Sequence, residues 1–270
     1  MFIQTPCPTV TINGTEVPVV IPPELEHPTD PEPGSLQPKV RPVSFSALLA
    51  FQPFVDWCKN LDPRFNVRAI HIQSVDWFGP RIGFVKLNAD IVDPDGKFVP
   101  GIAFLRGGSV VILVVLKHQG ESHTVIVNQA RAPVGRFELP EIAAGMLDGS
   151  GHFTGKAAAE MKEELGLEID AGKLVDLTEL VYGDEFPGIY ATPGGSDEFF
   201  RVMLYQQEVD DLSVFDDRQT GLAAEGESIS TEVIPMCDLC QRCPDAKTLA
   251  AMMLFTFMLA NNPLKAAGEI

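Results

Sequence analysis

Residues 145–167 read GMLDGSGHFTGKAAAEMKEELGL, and the second half of this stretch decides the fold. Ala157, Met161 and Leu165 recur every four residues, which lines one face of a helix, and Gly166 supplies a stop. The helix interrupts a series of strand-like runs. Upstream, SVVILVVLKH (109–118) is continuously apolar, as in a strand buried on both faces, and HTVIVNQAR (123–131) pairs with it through the turn QGES (119–122). Downstream, KLVDLTELVYG (173–183), FFRVMLYQQEV (199–209) and ISTEVIP (229–235) read as further strands, and a last helix spans about Asp245 to Ala260. Strands on both sides of a central helix, closed by another helix, imply an α/β or α+β sandwich.

Toward the N-terminus, AIHIQSVDWF (69–78) and RIGFVKLNADIV (81–92) alternate apolar and polar residues, and DPDGK (93–97) is a turn. FSALLAFQPFVDWCKNL (45–61) reads as a short helix, with Pro53 starting a second segment. Residues 17–42 are dense in proline and acidic side chains, which predicts a linker or irregular arm. The expected organisation is an N-terminal arm and β-rich region over 1–100, followed by the main domain over 101–270.

Composition narrows the partners. The 270-residue chain is 45% hydrophobic, enough for a real core, and its formal net charge of −17 repels phosphates. Nucleic acid and anionic membrane surfaces are therefore excluded, whereas a small phosphorylated substrate is not, because a bound divalent metal inverts the local sign. Five cysteines in a chain this long make no disulfide framework and point to a reducing compartment. The N-terminus shows no signal-like core, and the apolar run from Leu249 to Ala260 is too short to span a bilayer. The expectation is a cytoplasmic protein. CDLCQRC (237–243) has metal-like spacing but no fourth cysteine nearby, and it is set aside.

The charge of the central helix needs an explanation. Glu160, Glu163 and Glu164 stand at i, i+3 and i+4, where like charges destabilise a helix. One reading is a solvated acidic face with Lys156 and Lys162 as counterions. The other is a cation site, because a hard cation gathers carboxylate oxygens and water.

The stretch resembles the Nudix box, G-x5-E-x7-R-E-U-x-E-E-x-G-U, with Gly145, Glu160, Met161, Glu163, Glu164, Gly166 and Leu167 in register. Gly151 stands where the box has its first glutamate and Ala159 where it has arginine. Asp148 and His152 are candidates to replace the missing glutamate. The likeness extends over roughly Ala69–Ala260 and is greatest to ADP-ribose and plant-type ADP-sugar pyrophosphatases: Gln129, Arg131 and Pro133 match a Q-x-R-x-P pattern, and EIAAG (141–145) replaces the usual E-L-P-A-G.

The resemblance implies a Nudix α/β/α sandwich with a mixed sheet, preceded by a small β-rich region. It also implies hydrolysis of a nucleoside diphosphate sugar of the ADP-ribose or ADP-glucose type. Glu160, Glu163 and Glu164 with the Ala144 carbonyl would hold Mg²⁺, or Mn²⁺. Arg131, and second Arg136, would grip the diphosphate. Glu227, with Glu225 close behind, would serve as base beside the metal-activating Glu163 and Glu164. Trp77 (with Phe78) would stack on the base, and Glu198, in TPGGSDE (192–198), would touch substrate. Relatives pair as homodimers, so a dimer is expected. The two departures from the box keep a second reading open: a catalytically weakened Nudix scaffold that binds nucleotides or regulates.

Overall fold

The computed structural model describes residues 7–28, 41–147, 153–166, 169, 171–221 and 228–261. The chain forms two compact units: Met1–Gly107 with Thr192–Glu198, and Gly108–Ala191 with Phe199–Ile270.

The first unit is built on a six-stranded sheet. Its strands are β1 (Thr9–Ile12), β2 (Thr15–Val20), β3 (Asn66–Phe78), β4 (Arg81–Val92), β5 (Phe98–Val99) and β6 (Ile102–Leu105), and its helices are α1 (Pro23–Glu26), α2 (Phe45–Ala50) and α3 (Gln52–Asn60). The long β3–β4 hairpin carries three register shifts, as twisted two-stranded ribbons do. Leu48 of α2 and Phe54 and Cys58 of α3 bury against Ile70, Ile72, Val85, Leu87 and Leu105. Each such large side chain contributes about 1.5–3 kcal/mol. Burial pushes the Cys58 thiol up to about 12, so it behaves as a small hydrophobe.

Two expectations fail here in part. Within the proline-dense arm, Thr15–Val20 is a strand, paired antiparallel with β1 and parallel with β3. Val17 and Val19 are buried while Pro18 between them is partly exposed, so the missing amide does not interrupt a core position. Pro23 opens the one-turn α1, where an absent N–H costs nothing. The segment Thr192–Glu198 returns to this unit. Phe104 N donates to Gly195 O (2.9 Å), Ser196 Oγ to Phe104 O (2.8 Å), and Arg106 N to Asp197 Oδ1 (2.8 Å). Burial holds the Asp197 carboxyl above its usual range despite the backbone donors of Arg106 and Gly107.

The second unit is a nine-stranded mixed sheet with the central order β11-β13-β7-β8-β15-β14. Its strands are β7 (Gly108–His118), β8 (Glu121–Arg131), β9 (Arg136–Glu141), β10 (Ala144–Met146), β11 (Val175–Asp176), β12 (Ile189–Tyr190), β13 (Phe199–Glu208), β14 (Gln219–Thr220) and β15 (Ile229–Pro235). Its helices are α4 (Phe153–Glu164), α5 (Leu177–Tyr182), α6 (Leu239–Arg242) and α7 (Ala246–Asn261). β7 and β13 run parallel over ten residue pairs, and the other pairings are antiparallel. The apolar run of β7 is buried along nearly its whole length because helices cover both faces. Val111, Leu113 and Val115 meet Ala251, Leu254 and Met258 of α7 on one side. Val110, Ile112 and Val114 meet Ala157 and Met161 of α4 on the other. This is the α/β/α sandwich.

KLVDLTELVYG is not a strand beyond Asp176. Asp176 Oδ1 accepts from Glu179 N (2.9 Å), an N-cap that turns Leu177–Tyr182 into helix, and Leu177 and Thr178 become buried. Leu177, Leu180 and Val181 stand at helical i, i+3, i+4 spacing, in keeping with this cap.

Candidate active site

The site grows from five consecutive residues, Glu141-Ile142-Ala143-Ala144-Gly145, that join β9 to β10. The stretch is fastened to the centre of the sheet. Ile112 N donates to Ala143 O (2.8 Å), Leu147 N donates to Gly108 O (3.0 Å), and Ala144 is paired with Val111. Ile142 and Ala143 are fully buried on opposite faces.

At its C-terminal end the stretch receives the glutamates of α4. Glu160 and Glu164 lie one turn apart and are both 6% exposed. Ala144 N donates to Glu164 Oε2 at 3.0 Å. The Glu160 carboxyl lies so close to the Gly145 backbone that a Cβ there would stand 1.8 Å from its carbon and Oε1. Only glycine leaves room for this approach. Lys156 Nζ meets Glu160 Oε1 at 2.7 Å from the preceding turn. Glu163 is half-buried beside them.

At the N-terminal end, Glu141 is 4% exposed and holds two cations: Arg131 Nε at 2.6 Å and Lys247 Nζ at 2.7 Å. Lys247 also meets Asp245 (3.2 Å), whose carboxylate accepts from Thr248 N and Oγ1 at the start of α7. Burial by itself would depress the Lys247 ammonium, but Asp245 and Glu141 outweigh it and hold the group above its ordinary value. Arg131 keeps 39% of its side chain exposed, and Arg136 stands opposite it across the β8–β9 pair, itself exposed. Extended chain advances ~3.3 Å per residue, so the arginine end and the carboxylate end of the stretch are separated by roughly 10 Å.

Among the described residues, no three His, Cys, Asp or Glu side chains stand close enough to hold a metal by themselves. The donors that do converge, the Glu160 and Glu164 carboxylates at the Ala144–Gly145 backbone, are all oxygen. That set fits a small hard cation, which binds through one or two carboxylates and completes its shell with water and substrate phosphate. Of the other expected residues, Glu227, Glu225, Gly151, Asp148, His152 and Leu167 lie outside the described residues.

Trp77 and Glu198 belong to the first unit. Trp77 is half-buried against that unit's core, with Arg41 lying 5.8 Å over its ring. Glu198 is 3.5 Å from Arg106 Nη1. Sequence reasoning missed Lys247, whose partner lies 106 residues away, and the capping role of Asp245, for which the D-x-x-T spacing was a usable signal. Cys237 and Cys240 are exposed and Cys243 is buried, its thiol pushed by burial up to about 12; none takes part in a metal cluster among the described residues.

Comparison with known proteins supplies the class. The chain is 38% identical over 214 residues to Nudix hydrolase 14, chloroplastic, of Arabidopsis thaliana, across 75% of this chain and 69% of the relative. It is also 33% identical over 81 residues to an uncharacterized Nudix hydrolase of Schizosaccharomyces pombe, covering 30% of this chain and 37% of that one. Among solved structures, an ADP compounds hydrolase is similar over 76% of this chain and 99% of its own, at 13% identity and a TM-score of 0.44. A C. elegans Ap4A hydrolase in a binary complex is similar over 56% and 98%, at 16% identity and a TM-score of 0.39. No protein-family model matches the chain. The likeness to a Nudix hydrolase over most of the chain makes this an enzyme that hydrolyses phosphoanhydride bonds. The chain belongs to the Nudix hydrolase family.

Proposed function

We propose that this Nudix hydrolase cleaves the diphosphate bond of a nucleoside diphosphate sugar of the ADP-ribose or ADP-glucose type, releasing a nucleoside monophosphate and a sugar phosphate. The observation that carries the reading is the burial of two carboxylates, Glu160 and Glu164, against a backbone stretch whose other end positions Arg131. Buried carboxylates one turn apart are unfavourable unless a cation offsets them. Glu160, Glu164 and Glu163, with the Ala144 carbonyl, would hold Mg²⁺, with Mn²⁺ as a substitute. A divalent cation in this position draws charge off a diphosphate and favours attack by water.

The chain's own residues do the rest. Glu141 engages Arg131 through Nε, which orients the planar guanidinium and favours presentation of its remaining donors to a phosphate oxygen. Arg136, opposite it, adds positive charge at the same end of the β8–β9 pair. Glu227 is assigned as the base that accepts the water's proton, a contribution of about 10²–10⁴-fold. Trp77 and Glu198 are assigned to substrate contact on the family resemblance. A homodimer in a reducing compartment, the cytoplasm, completes the reading.

A second reading rests on Lys156. Its ammonium occupies one oxygen of Glu160, and Ala159 offers no charge of its own, as in a scaffold that binds nucleotides with weakened catalysis. The two separate in one assay: hydrolysis of ADP-ribose, ADP-glucose and UDP-glucose with Mg²⁺, beside Glu164→Gln. Release of AMP or UMP that disappears in the variant establishes the enzyme and its base. Nucleotide binding without turnover on any of the three overturns the enzyme reading in favour of the scaffold.

A further inference from the structure

Helix α4 is charged at the wrong end. Glu163 and Glu164 stand in its last turn, where the aligned peptide dipoles already leave partial negative charge, and carboxylates there favour fraying. The carbonyls at this end are taken one after another by residues 218–221, in and around β14. Gly221 N donates to Glu163 O (3.1 Å), and Thr220 Oγ1 donates to Glu164 O (2.5 Å). Arg218 Nη1 donates to Leu165 O (3.1 Å) and Gly166 O (3.3 Å).

The guanidinium thus brings a full positive charge to the negative end of the helix. Its own backbone is fixed to β15, with Arg218 N donating to Thr231 Oγ1 (3.1 Å) and Thr231 N to Arg218 O (3.0 Å). Gly166 accommodates it twice over. Its φ of +65° is left-handed, and a Cβ there would stand 2.5 Å from Arg218 Nη2.

We propose that Arg218 is a positioning residue for the cation site, holding the last turn of α4 so that Glu163 and Glu164 are presented in one fixed arrangement. The inference rests on the cation reading given above. It concerns a residue 52 positions beyond Gly166, outside the motif that carries the glutamates.

The test is Mn²⁺ binding to the full chain without nucleotide, by calorimetry or by loss of the free-ion resonance, with a melting curve of each variant. Wild type binds Mn²⁺. Arg218→Ala, still folded at the assay temperature, binds it about tenfold more weakly, the scale of lost outer contacts in metal sites. Its turnover recovers at high metal concentration, so half-saturating metal shifts while kcat does not. Arg218→Lys, which restores charge but not the paired carbonyl contacts, falls between. Thr220→Val, which deletes one bond at constant volume, shows a shift of about twofold to threefold and remains readable if Arg218→Ala does not fold.

A lowered melting temperature with Mn²⁺ affinity unchanged in folded Arg218→Ala reduces Arg218 to a helix cap and overturns the proposal, as does unchanged affinity in Thr220→Val where that variant alone is readable. Wild type that binds no Mn²⁺ overturns the cation reading and this inference together.

Discussion

Helices α4 and α7 do the same structural work on opposite faces of one sheet, and they do it with different side chains. α7 turns Thr248, Ala251, Leu254 and Met258 inward, a face that needs only Asp245 to satisfy its hydroxyl. α4 turns Ala157 and Met161 inward and adds Glu160 and Glu164, which are buried as well. Nothing about covering a sheet calls for carboxylates, since α7 manages without them. The difference teaches where to look for chemistry: a charge kept in a position that packing would fill with leucine is retained for another reason.

The comparison breaks most visibly in a pair of substitutions. Glu164→Gln should lower hydrolysis at least about 100-fold, roughly 2.7 kcal/mol in the barrier, while moving stability by about 1 kcal/mol or less, because the amide oxygen still accepts from Ala144 N. Leu254→Ala should do the reverse, costing about 2–5 kcal/mol of stability with kcat of the folded protein unchanged. Urea denaturation beside steady-state kinetics checks both. Equal damage to turnover from the two variants would remove the distinction between the helices.

A smaller effect sharpens it. Gly145→Ala drives a methyl into the Glu160 carboxyl and should lower activity about tenfold, with about 1–3 kcal/mol of stability lost to overpacking. A variant with wild-type kinetics would show that the cradle does not position Glu160.

The smallest effect lies in the first turn of α7, at Lys247. Its folded pKa is raised by Asp245 and Glu141 above the unfolded value, so its contribution is complete below about pH 10.4 and is lost as pH rises through the folded value. Lys247→Met should therefore melt below wild type at neutral pH, by about 1–2 kcal/mol, and approach it in strong alkali. Melting temperatures across that range decide it; a constant gap means the ammonium's charge contributes nothing.

What sequence disclosed of this arrangement follows the range of the interactions. The period of Ala157, Met161 and Leu165 is local, and so is the apolar run of β7, so both elements were legible. The stretch 173–183 reads as a strand only if the i, i+3, i+4 spacing of Leu177, Leu180 and Val181 is passed over, and the Asp176–Glu179 cap that starts the helix is a single hydrogen bond that hydropathy does not register. The first hairpin was hidden by its prolines, although Asn13-Gly14 at its turn is a recognised hairpin signal. The three box glutamates were legible as a motif, but the tie between Glu141 and Lys247 joins residues far apart and leaves no trace in spacing.

One feature of the chain path bears on how the protein is made. Thr192–Glu198 completes the first unit, and β13 follows at once to run beside β7 in the second. Residues 1–107 leaving the ribosome are therefore a sheet without its closing segment, with the Arg106 and Gly107 amides lacking the Asp197 carboxylate that later receives them. β7 likewise waits some ninety residues for its parallel neighbour. Synthesis from the N-terminus does not give this protein a finished first half on which to build the second. The first unit closes only when this late segment emerges, and the second still needs β15 and α7 after it, so a ribosome that stalls before Thr192 leaves neither complete.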